Sequence, residues 1–278
     1  MYAITHFATP VLNTENFQTC FGGAEGNTLP LDTQQLLRPV ETILLPHSKL
    51  QLLEKVGTSP IWRIRTSEYE SDSPLYIDER FIMPVPASFP ERKRLMPTYK
   101  EMLRRLEAQI GARYIWGGNW PEGIPQLLCW YKPSIKREAL GELLHDTWQL
   151  KGVDCSGLLY FASHGYTPRN TQELVSWGKG VSIAGKTAKA ISALLQPLDL
   201  IAWRGHVLIA LDRHTLIESR GGAGVIVCAS QTRLEEILSE RKAADGYLAA
   251  EPCFVVRRFR EFPVPERNAL HRAALSFH

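Results

Sequence analysis

A cysteine that could act as a nucleophile stands in the segment Asp154-Cys155-Ser156-Gly157. The segment is typical of a helix start, with Asp154 as the N-terminal cap. Unpaired backbone N–H groups and the helix dipole favour a thiolate there, the form of cysteine that attacks carbonyl carbon. Gly157 is expected to keep the surroundings of the thiol open. The alternative is a buried structural cysteine, because free cysteine is among the most buried residue types.

A base and an orienting acid follow on two predicted strands. His206 begins one strand and could hold the thiolate and later protonate a leaving amine. Glu218 lies on the next strand and could orient the imidazole and stabilise its cationic form. Side chains alternate along a strand, so the two share a face only if the turn has an odd number of residues, such as 212–214. Glu218 then lies diagonal to His206.

The elements around these residues are predicted to be helices followed by strands. Met102, Leu103, Leu106 and Ile110 recur at helical spacing after Pro97. Further helices are predicted at Asp154–Ser163, Thr187–Leu195 and Leu234–Glu240, and strands at Leu200–Trp203, Val207–Leu211, Thr215–Ser219, Val225–Cys228 and Phe254–Arg258. This order indicates an α+β domain with an antiparallel sheet.

The N-terminal part has a different pattern. Short strands broken by turn residues are predicted at Val40–Leu45, Lys49–Leu53, Ile61–Arg65 and Leu75–Asp78, which favours a small β-barrel. Prolines then recur up to Pro97. We therefore expect a domain over 1–84, a proline-rich linker over 85–97, a catalytic domain over 98–262 and a poorly ordered tail over 263–278.

Five short motifs occur in a fixed order along the second part of the chain. They are Tyr114-Ile115-Trp116-Gly117-Gly118, Asp154-Cys155-Ser156-Gly157, Pro168-Arg169-Asn170-Thr171-Gln172, Asp199-Leu200-Ile201 and Gly205-His206-Val207. Together they resemble the motifs of the NlpC family of papain-like peptidoglycan endopeptidases. The resemblance implies a papain-like catalytic domain with helices packed on an antiparallel sheet, preceded by a bacterial SH3-like β-barrel.

The resemblance also implies roles for single residues. Cys155, His206 and Glu218 match the nucleophile, base and orienting positions, although the third is commonly histidine. Tyr114 matches a tyrosine beside the nucleophile, and its hydroxyl with the Cys155 N–H could stabilise an oxyanion. Trp116 is interpreted as a core aromatic.

Substrate or oxyanion contacts are further implied for Ser156, Asn170 and Thr171. Relatives that recognise a free amine tend to have Asp where this chain has Asn170. No metal ligand or cofactor is implied at any of these positions.

The distance between Tyr114 and Cys155, 41 residues, is longer than the resemblance leads one to expect. An insertion at about 119–149 accounts for it. Its aromatic residues could line a wall for substrate or form a small core, and a core is the favoured interpretation: Trp120, Trp130, Tyr131 and Trp148.

Composition excludes several other functions. A net charge of +3 over 278 residues gives no indication of nucleic-acid binding. The five cysteines lack metal-ligand spacing, so a structural zinc site is not expected. No apolar run is long enough for a membrane span, and the N-terminal residues do not resemble a secretory signal. A cytoplasmic monomer is expected, with a periplasmic location open if a signal has been removed.

Three functions stay open at this point. The resemblance favours hydrolysis of the γ-D-glutamyl-diaminopimelate bond, with peptidoglycan stem peptides or muropeptides as substrates, in cell-wall remodelling or recycling. The same thiol chemistry would also serve an amidase or acyltransferase. The third is a non-catalytic wall-binding module, against which the presence of Cys155, His206 and Glu218 argues.

Overall fold

A computed structural model describes residues 1–23 and 25–259. The protein is an α+β structure with two large antiparallel sheets and several helices. The predicted tail over 263–278, and the last residues of the predicted catalytic domain, lie outside the described residues. None of the described helices is long and apolar enough to span a membrane.

The N-terminal sheet has seven antiparallel strands in the order β3-β2-β6-β5-β4-β1-β7. Their bounds are β1 Tyr2–Thr5, β2 Thr9–Leu12, β3 Val40–Leu44, β4 Lys49–Lys55, β5 Ile61–Thr66, β6 Leu75–Asp78 and β7 Ile82–Val85. Within the described residues the end strands β3 and β7 do not pair, so the expected SH3-like barrel is not confirmed. Strand β2 was not predicted because all four of its residues are buried, which removes the alternation that marks a half-exposed strand.

The second part of the chain contains a two-stranded ribbon and a larger sheet ordered β10-β16-β11-β12-β13-β14. The strand bounds are β8 Asn119–Trp120, β9 Gly152–Val153, β10 Lys179–Val181, β11 Leu200–Trp203, β12 His206–Ala210, β13 Thr215–Arg220, β14 Gly224–Ala229, β15 Lys242–Ala243 and β16 Cys253–Arg258. The larger sheet is antiparallel except for the short parallel pair β15–β16. Each strand predicted in this part is present to within two residues at either end.

Eight helices accompany the strands in the described part of the chain. They are α1 Phe17–Cys20, α2 Tyr99–Glu107, α3 Gln126–Trp130, α4 Arg137–Trp148, α5 Cys155–Ala162, α6 Thr171–Leu174, α7 Ala188–Leu194 and α8 Ser230–Glu240. Threonine hydroxyls cap α2 and α7 at Thr98 and Thr187. Helix α5 packs against β12 and β13, which brings Cys155 to the strands that carry His206 and Glu218.

The aromatic residues of the 119–149 segment belong to a core shared with the N-terminal sheet. Trp148 is fully buried, and its indole N–H donates to the carbonyl of Tyr131 at 2.9 Å. The Tyr131 hydroxyl donates in turn to Asp78 at 2.6 Å. Phe17 and Phe21 pack on the ring of Tyr131. These rings therefore form part of a core and do not line a substrate wall.

Buried polar contacts also join the N-terminal sheet to the rest of the chain. The side chain of Asn119 accepts from the backbone N–H of Ile43 at 2.9 Å and donates to its carbonyl at 2.8 Å. Glu68 accepts a hydrogen bond of 2.9 Å from the Tyr160 hydroxyl on α5 and two bonds from Arg92. Although burial opposes its charged form, the pKa of Glu68 is lowered by Arg92. The first sheet is thus fastened directly to the helix that begins with Cys155.

Candidate active site

Cys155 is the first residue of α5, as the sequence predicted. The carboxylate of Asp154 caps the helix by accepting from the backbone N–H of Gly157 at 2.6 Å. All eight residues of α5 are buried, and Cys155 is only 6% exposed to solvent. The helix thus holds Cys155 buried, with its thiol part of the core.

Gly157 was expected to keep the surroundings of the thiol open, but the structure gives it another role. A Cβ atom at this position would lie 1.9 Å from the carbonyl oxygen of Gly118, which is closer than any real contact. That same carbonyl accepts the backbone N–H of Asp154 at 2.8 Å. Glycine is therefore required so that the segment before the ribbon strand β8 can approach the start of α5. It does not serve to open the space around the thiol.

The acidity of the Cys155 thiol also differs from the expectation. Burial, followed by the negative charge of Asp154, raises the pKa of Cys155 to about 12. Arg169 and the backbone N–H groups of Ser156 and Val207 act in the opposite direction but are weaker. Burial therefore favours the protonated thiol over the thiolate that the helix start alone led us to expect.

The thiol lies against the start of strand β12. Its sulfur is 3.9 Å from the carbonyl oxygen of Gly205, the residue before His206. The backbone N–H of Val207, on the other side of His206, also interacts with the sulfur. The backbone on both sides of His206 therefore lies against the thiol of Cys155.

His206 and Glu218 meet across neighbouring strands. The pairs Ile209–Ile217 and Ala210–Leu216 set the register of β12 and β13, and the turn has the expected three residues, 212–214. Glu218 is thus diagonal to His206, and their side chains form a hydrogen bond of 2.6 Å between Nε2 and Oε2. The predicted register is confirmed.

The charge of Glu218 fixes the tautomer of His206. Burial opposes the ionised form, but hydrogen bonds from His206 and Arg233 outweigh it and hold the pKa of Glu218 at about 2. A carboxylate can only accept, so Nε2 of His206 carries a proton. The lone pair of a neutral imidazole is then on Nδ1, the ring atom that can accept a proton.

Arg233 on α8 is a further partner of the site. Its Nε donates to Glu218 Oε1 at 2.8 Å, and its Nη2 donates to Oε2 at 3.2 Å. The Glu218 side chain has no exposed surface, and Arg233 retains 16%. The carboxylate is therefore shared between an imidazole and a guanidinium.

A buried arginine supports the other end of the site. Arg169 donates to the two carboxylate oxygens of Asp154 at 3.0 and 2.6 Å. It also donates to the hydroxyl of Ser156 at 2.8 Å and to Thr42 on β3 at 3.1 Å. This Arg169 cluster joins the cap of α5 to the N-terminal sheet.

No family model and no curated protein sequence matches the chain. Among solved structures, an NlpC/P60 family protein from Bacillus cereus is 14% identical and superimposes with a TM-score of 0.53, over 93% of this chain and 99% of that one. The protein has an NlpC/P60-like fold. The fold expected from the five motifs is thus confirmed over most of the chain.

Two other solved structures match with lower TM-scores. NlpC2 from Trichomonas vaginalis is 12% identical over 93% of this chain and 73% of that one, with a TM-score of 0.33. RipD from Mycobacterium tuberculosis, described as a non-catalytic NlpC/p60 domain protein adapted to peptidoglycan binding, is 16% identical over 59% and 98%, with a TM-score of 0.34.

Tyr114 lies near the nucleophile, and Trp116 lies outside the core. Burial, and then the charges of Asp154 and Cys155, raise the pKa of Tyr114, so its hydroxyl keeps its proton and can donate. Trp116 is half-buried, with the guanidinium of Arg38 4.2 Å above its ring. The interpretation of Trp116 as a core aromatic is therefore wrong, since it stacks with a surface arginine of the N-terminal part.

Ser156 and Thr171 both support the backbone around the thiol. The Ser156 hydroxyl is buried in the Arg169 cluster and donates to Asp154 at 3.2 Å, so its side chain does not face a substrate. The Thr171 hydroxyl accepts from the backbone N–H of Gly205 at 2.9 Å. Thr171 therefore holds the turn that precedes His206.

Asn170 lies at a junction with the N-terminal part. Its amide donates to the carbonyl of Glu70 at 3.3 Å, and its side chain lies beside the hydroxyl of Tyr69. That hydroxyl donates to the carboxylate of Glu41 at 2.8 Å. Glu41, an acid of the N-terminal part, is therefore linked to Asn170 through the side chain of Tyr69.

A cavity of about 990 Å³ opens next to this junction. Its lining includes Arg65, Tyr69, Glu70, Asp72, Asn170 and Glu173. Asn170 is followed in the chain by Thr171, whose hydroxyl binds the backbone N–H of Gly205. The carbonyl of Gly205 in turn contacts the sulfur of Cys155. The cavity is thus large enough for a ligand of several hundred Å³, and Asn170 is the residue that links its lining to the chain segment next to the thiol.

Sequence reasoning did not identify Arg233, Arg169 or Glu41 as parts of the site. Arg169 was within a quoted motif, but nothing in its local sequence shows that it reaches Asp154. Arg233 and Glu41 contact the site only through the packing of distant elements. Among the described residues no group of three or more His, Cys, Asp or Glu side chains could hold a metal ion, and Asp146 pairs with Arg113 at 2.7 Å.

Proposed function

We propose that the protein is a cysteine peptidase that hydrolyses peptidoglycan stem peptides, with Cys155 as nucleophile, His206 as base and Glu218 as orienting acid. The observation that carries the proposal is the hydrogen bond of 2.6 Å between His206 and Glu218, beside a thiol that contacts Gly205 and Val207. An ionised acid bound to an imidazole is the arrangement that orients a catalytic base, and the backbone on both sides of this histidine contacts the thiol.

The proposed first step forms a thioester. Nδ1 of His206 takes the thiol proton as the sulfur of Cys155 attacks the carbonyl carbon. The oxyanion accepts hydrogen bonds from the Cys155 N–H and the Tyr114 hydroxyl. The carbon–nitrogen bond then breaks, and the imidazolium transfers its proton to the leaving amine.

Water completes the proposed cycle. His206 removes a proton from the water molecule that attacks the thioester, and the carbon–sulfur bond breaks. The thiol recovers its proton from the imidazolium, and the peptide leaves as a carboxylate. The pKa of the Cys155 thiol, raised to about 12, makes it stable as a protonated group between turnovers.

The bond proposed for cleavage is the one between γ-D-glutamate and diaminopimelate. This choice rests on the resemblance of the five motifs and on the NlpC/P60-like fold. The cavity beside Asn170 offers a place for part of a peptide substrate, because its volume of about 990 Å³ is in the range of ligand sites. An amidase or acyltransferase would use the same three residues on another acyl group.

The experiment that tests the proposal incubates the full-length protein with defined muropeptides and identifies the products by mass spectrometry. Cleavage after γ-D-glutamate that disappears in Cys155→Ala is the expected result. A product at another amide, or a transferred acyl group, would point to the amidase or acyltransferase. Binding of intact muropeptide without any product would favour the non-catalytic module.

A further inference from the structure

We propose that Arg233 is a positioning residue of the catalytic site, which fixes the Glu218 carboxylate for its bond to His206 and offsets the charge of that carboxylate. The proposal rests on the assignment of His206 as base, but not on the identity of the substrate. It adds to the three site residues a fourth that has no direct contact with the thiol.

The geometry makes Arg233 a competitor of His206 for one carboxylate. Both residues bind Oε2 of Glu218, His206 at 2.6 Å and Arg233 at 3.2 Å, and Arg233 also binds Oε1 at 2.8 Å. With two oxygens engaged by the guanidinium, the carboxylate cannot rotate without breaking a charge-assisted bond. Its Oε2 is therefore held in place for the imidazole.

Helix α8 holds the guanidinium in this position. Leu234 and Ile237 are buried against the sheet, which anchors the helix beside β14. The remaining nitrogen Nη1 of Arg233 binds Glu236 at 2.8 Å, one turn further along α8. The guanidinium is thus supported from its own helix and needs no partner from a substrate.

The charge balance explains why the arginine matters. A buried carboxylate alone would strongly favour the imidazolium form of its histidine partner. With Arg233 the carboxylate is already neutralised, so protonation of His206 adds a net positive charge to a half-buried group. Nε2 of His206 and Nη2 of Arg233 contact the same oxygen of Glu218. An imidazolium at His206 would therefore lie within about 6 Å of the guanidinium, where repulsion between the two charges is substantial.

Other charged and titratable groups surround the pair but are arranged differently. On α5, the charge of Asp154 is paired with Arg169. On α8, the Glu236 side chain is 57% exposed and already bound to Arg233. The other groups are the thiols Cys155 and Cys228 and Arg241, which stacks on the ring of Trp203 beside His206. Arg220 at the end of β13 also acts on Cys228, and Arg204 lies 5.8 Å from the ring of Tyr247. In the described residues the hydrogen bonds to the Glu218 carboxylate come from His206 and Arg233.

The test measures the titration of His206 by NMR in the full-length Cys155→Ala protein, which removes the coupled thiol. With Arg233→Met added, the proton affinity of His206 should rise about tenfold, which corresponds to one pKa unit. Arg233→Lys keeps the charge and should change the affinity less than about threefold. Arg213→Met removes an equal charge from the turn between β12 and β13 and should leave the titration unchanged.

If the proton affinity of His206 rises no more in Arg233→Met than in Arg213→Met, the proposal is overturned. Thermal unfolding of each variant checks the fold, and Arg233→Gln replaces Arg233→Met if the latter does not fold. In the enzyme with Cys155 intact, the acid limb of thiol alkylation by iodoacetamide should move to higher pH in Arg233→Met. Neither measurement uses a peptide, so a wrong substrate assignment would leave both expected results unchanged.

Discussion

Arg169 binds both carboxylate oxygens of Asp154, at 3.0 and 2.6 Å, and Asp154 caps the helix that begins with Cys155. The arginine is 4% exposed and the aspartate 8%. Through Thr42 the same arginine reaches the N-terminal sheet. The position of Cys155 therefore depends on a buried ion pair of the second part of the chain that is itself bound to the N-terminal sheet.

Arg169→Met should lower the free energy of unfolding by about 3–5 kcal/mol, because Asp154 would be left charged and buried without its partner. Chemical denaturation measures this change. Lys55→Met, which removes an exposed pair with Glu79, is the control and should change the free energy by less than about 1 kcal/mol. In the double variant Arg169→Met/Asp154→Asn the loss should be smaller than in Arg169→Met alone. Equal losses would show that the pair is not coupled.

Cys155→Ala should abolish turnover, by more than roughly 10⁴-fold, and leave the fold intact, because a smaller residue at this helix start disturbs few contacts. Product formation from muropeptides and circular dichroism are the measurements. Cys129→Ala, at an exposed cysteine, is the matched control and should retain the wild-type rate. Activity within tenfold of the wild type in Cys155→Ala would remove Cys155 as the nucleophile.

Glu218→Gln should slow turnover less than Glu218→Leu. Glutamine can still accept the Nε2–H of His206, although it loses the charge that stabilises the imidazolium. Leucine accepts nothing and leaves Arg233 without its carboxylate, so it should also destabilise the protein by about 2–3 kcal/mol. Steady-state kinetics and thermal unfolding separate the two effects. Faster turnover in Glu218→Leu than in Glu218→Gln would contradict the orienting role of Glu218.

The same residue predicts a pH dependence of stability. The pKa of Glu218 is lowered from 4.5 to about 2 in the folded protein, so its contribution is complete above pH 4.5. As pH falls from 4.5 towards 2, the unfolded state binds the proton first and the contribution is lost. The stability difference between the wild type and Glu218→Gln should therefore shrink across this interval, as urea unfolding at several pH values can measure.

A protein without residues 1–84 is expected not to fold. The core that contains Trp148 and Tyr131 extends into the N-terminal sheet, and removal of that sheet would expose it. Asn119→Ala tests the same contact without removing the sheet. It should lower the free energy of unfolding by about 3 kcal/mol, because both backbone groups of Ile43 would stay buried without a partner. Asn16→Ala, at an exposed asparagine, is the control. A soluble 85–278 fragment with a cooperative unfolding transition would contradict a shared core.

Asn170 predicts a weak preference for a free amine on the substrate. An amide attracts an ammonium less than a carboxylate does, since a charge-assisted hydrogen bond is about twice as strong as a neutral one. N-acetylation of L-Ala-γ-D-Glu-diaminopimelate should therefore lower kcat/KM less than about tenfold, and Asn170→Asp should increase this discrimination.

The opposing case is that an acid of the N-terminal part supplies the charge. Among the acids of the N-terminal part, Glu68 and Asp78 are engaged in buried ion pairs, while Glu70 and Asp72 line the cavity. Glu41 lies closer, bound to Tyr69 beside Asn170. Rejection of the acetylated peptide by more than a thousandfold, relieved by Glu41→Gln and unaffected by Asn170→Asp, would assign the selection to Glu41.

The parts of the site that could be predicted depend on local chain geometry. Asp154 and Cys155 follow from capping chemistry, and the meeting of His206 with Glu218 follows from the alternation of side chains around a three-residue turn. The raised pKa of the thiol could not be predicted, because burial and the charge of Asp154 arise from packing.

Long-range contacts explain the remaining differences. Arg233 and Arg169 reach the site from other elements, at separations of 15 residues each from Glu218 and Asp154. Strand β7 contains Pro84, which argues against a strand in a sequence but is tolerated at this sheet edge. The open order of the N-terminal sheet is likewise set by pairings between distant segments.

The bond between Asn119 and the backbone of Ile43 limits how the gene could be recombined. A chimera that joins residues 98–259 to an unrelated N-terminal unit would need a strand that presents a free N–H and C=O to Asn119, and a hydroxyl in place of Thr42 for Arg169. It would also need a residue shaped like Val40, whose side chain and carbonyl occupy the space where a Cβ on Gly117 would lie. These two segments have therefore to be inherited and engineered as one unit.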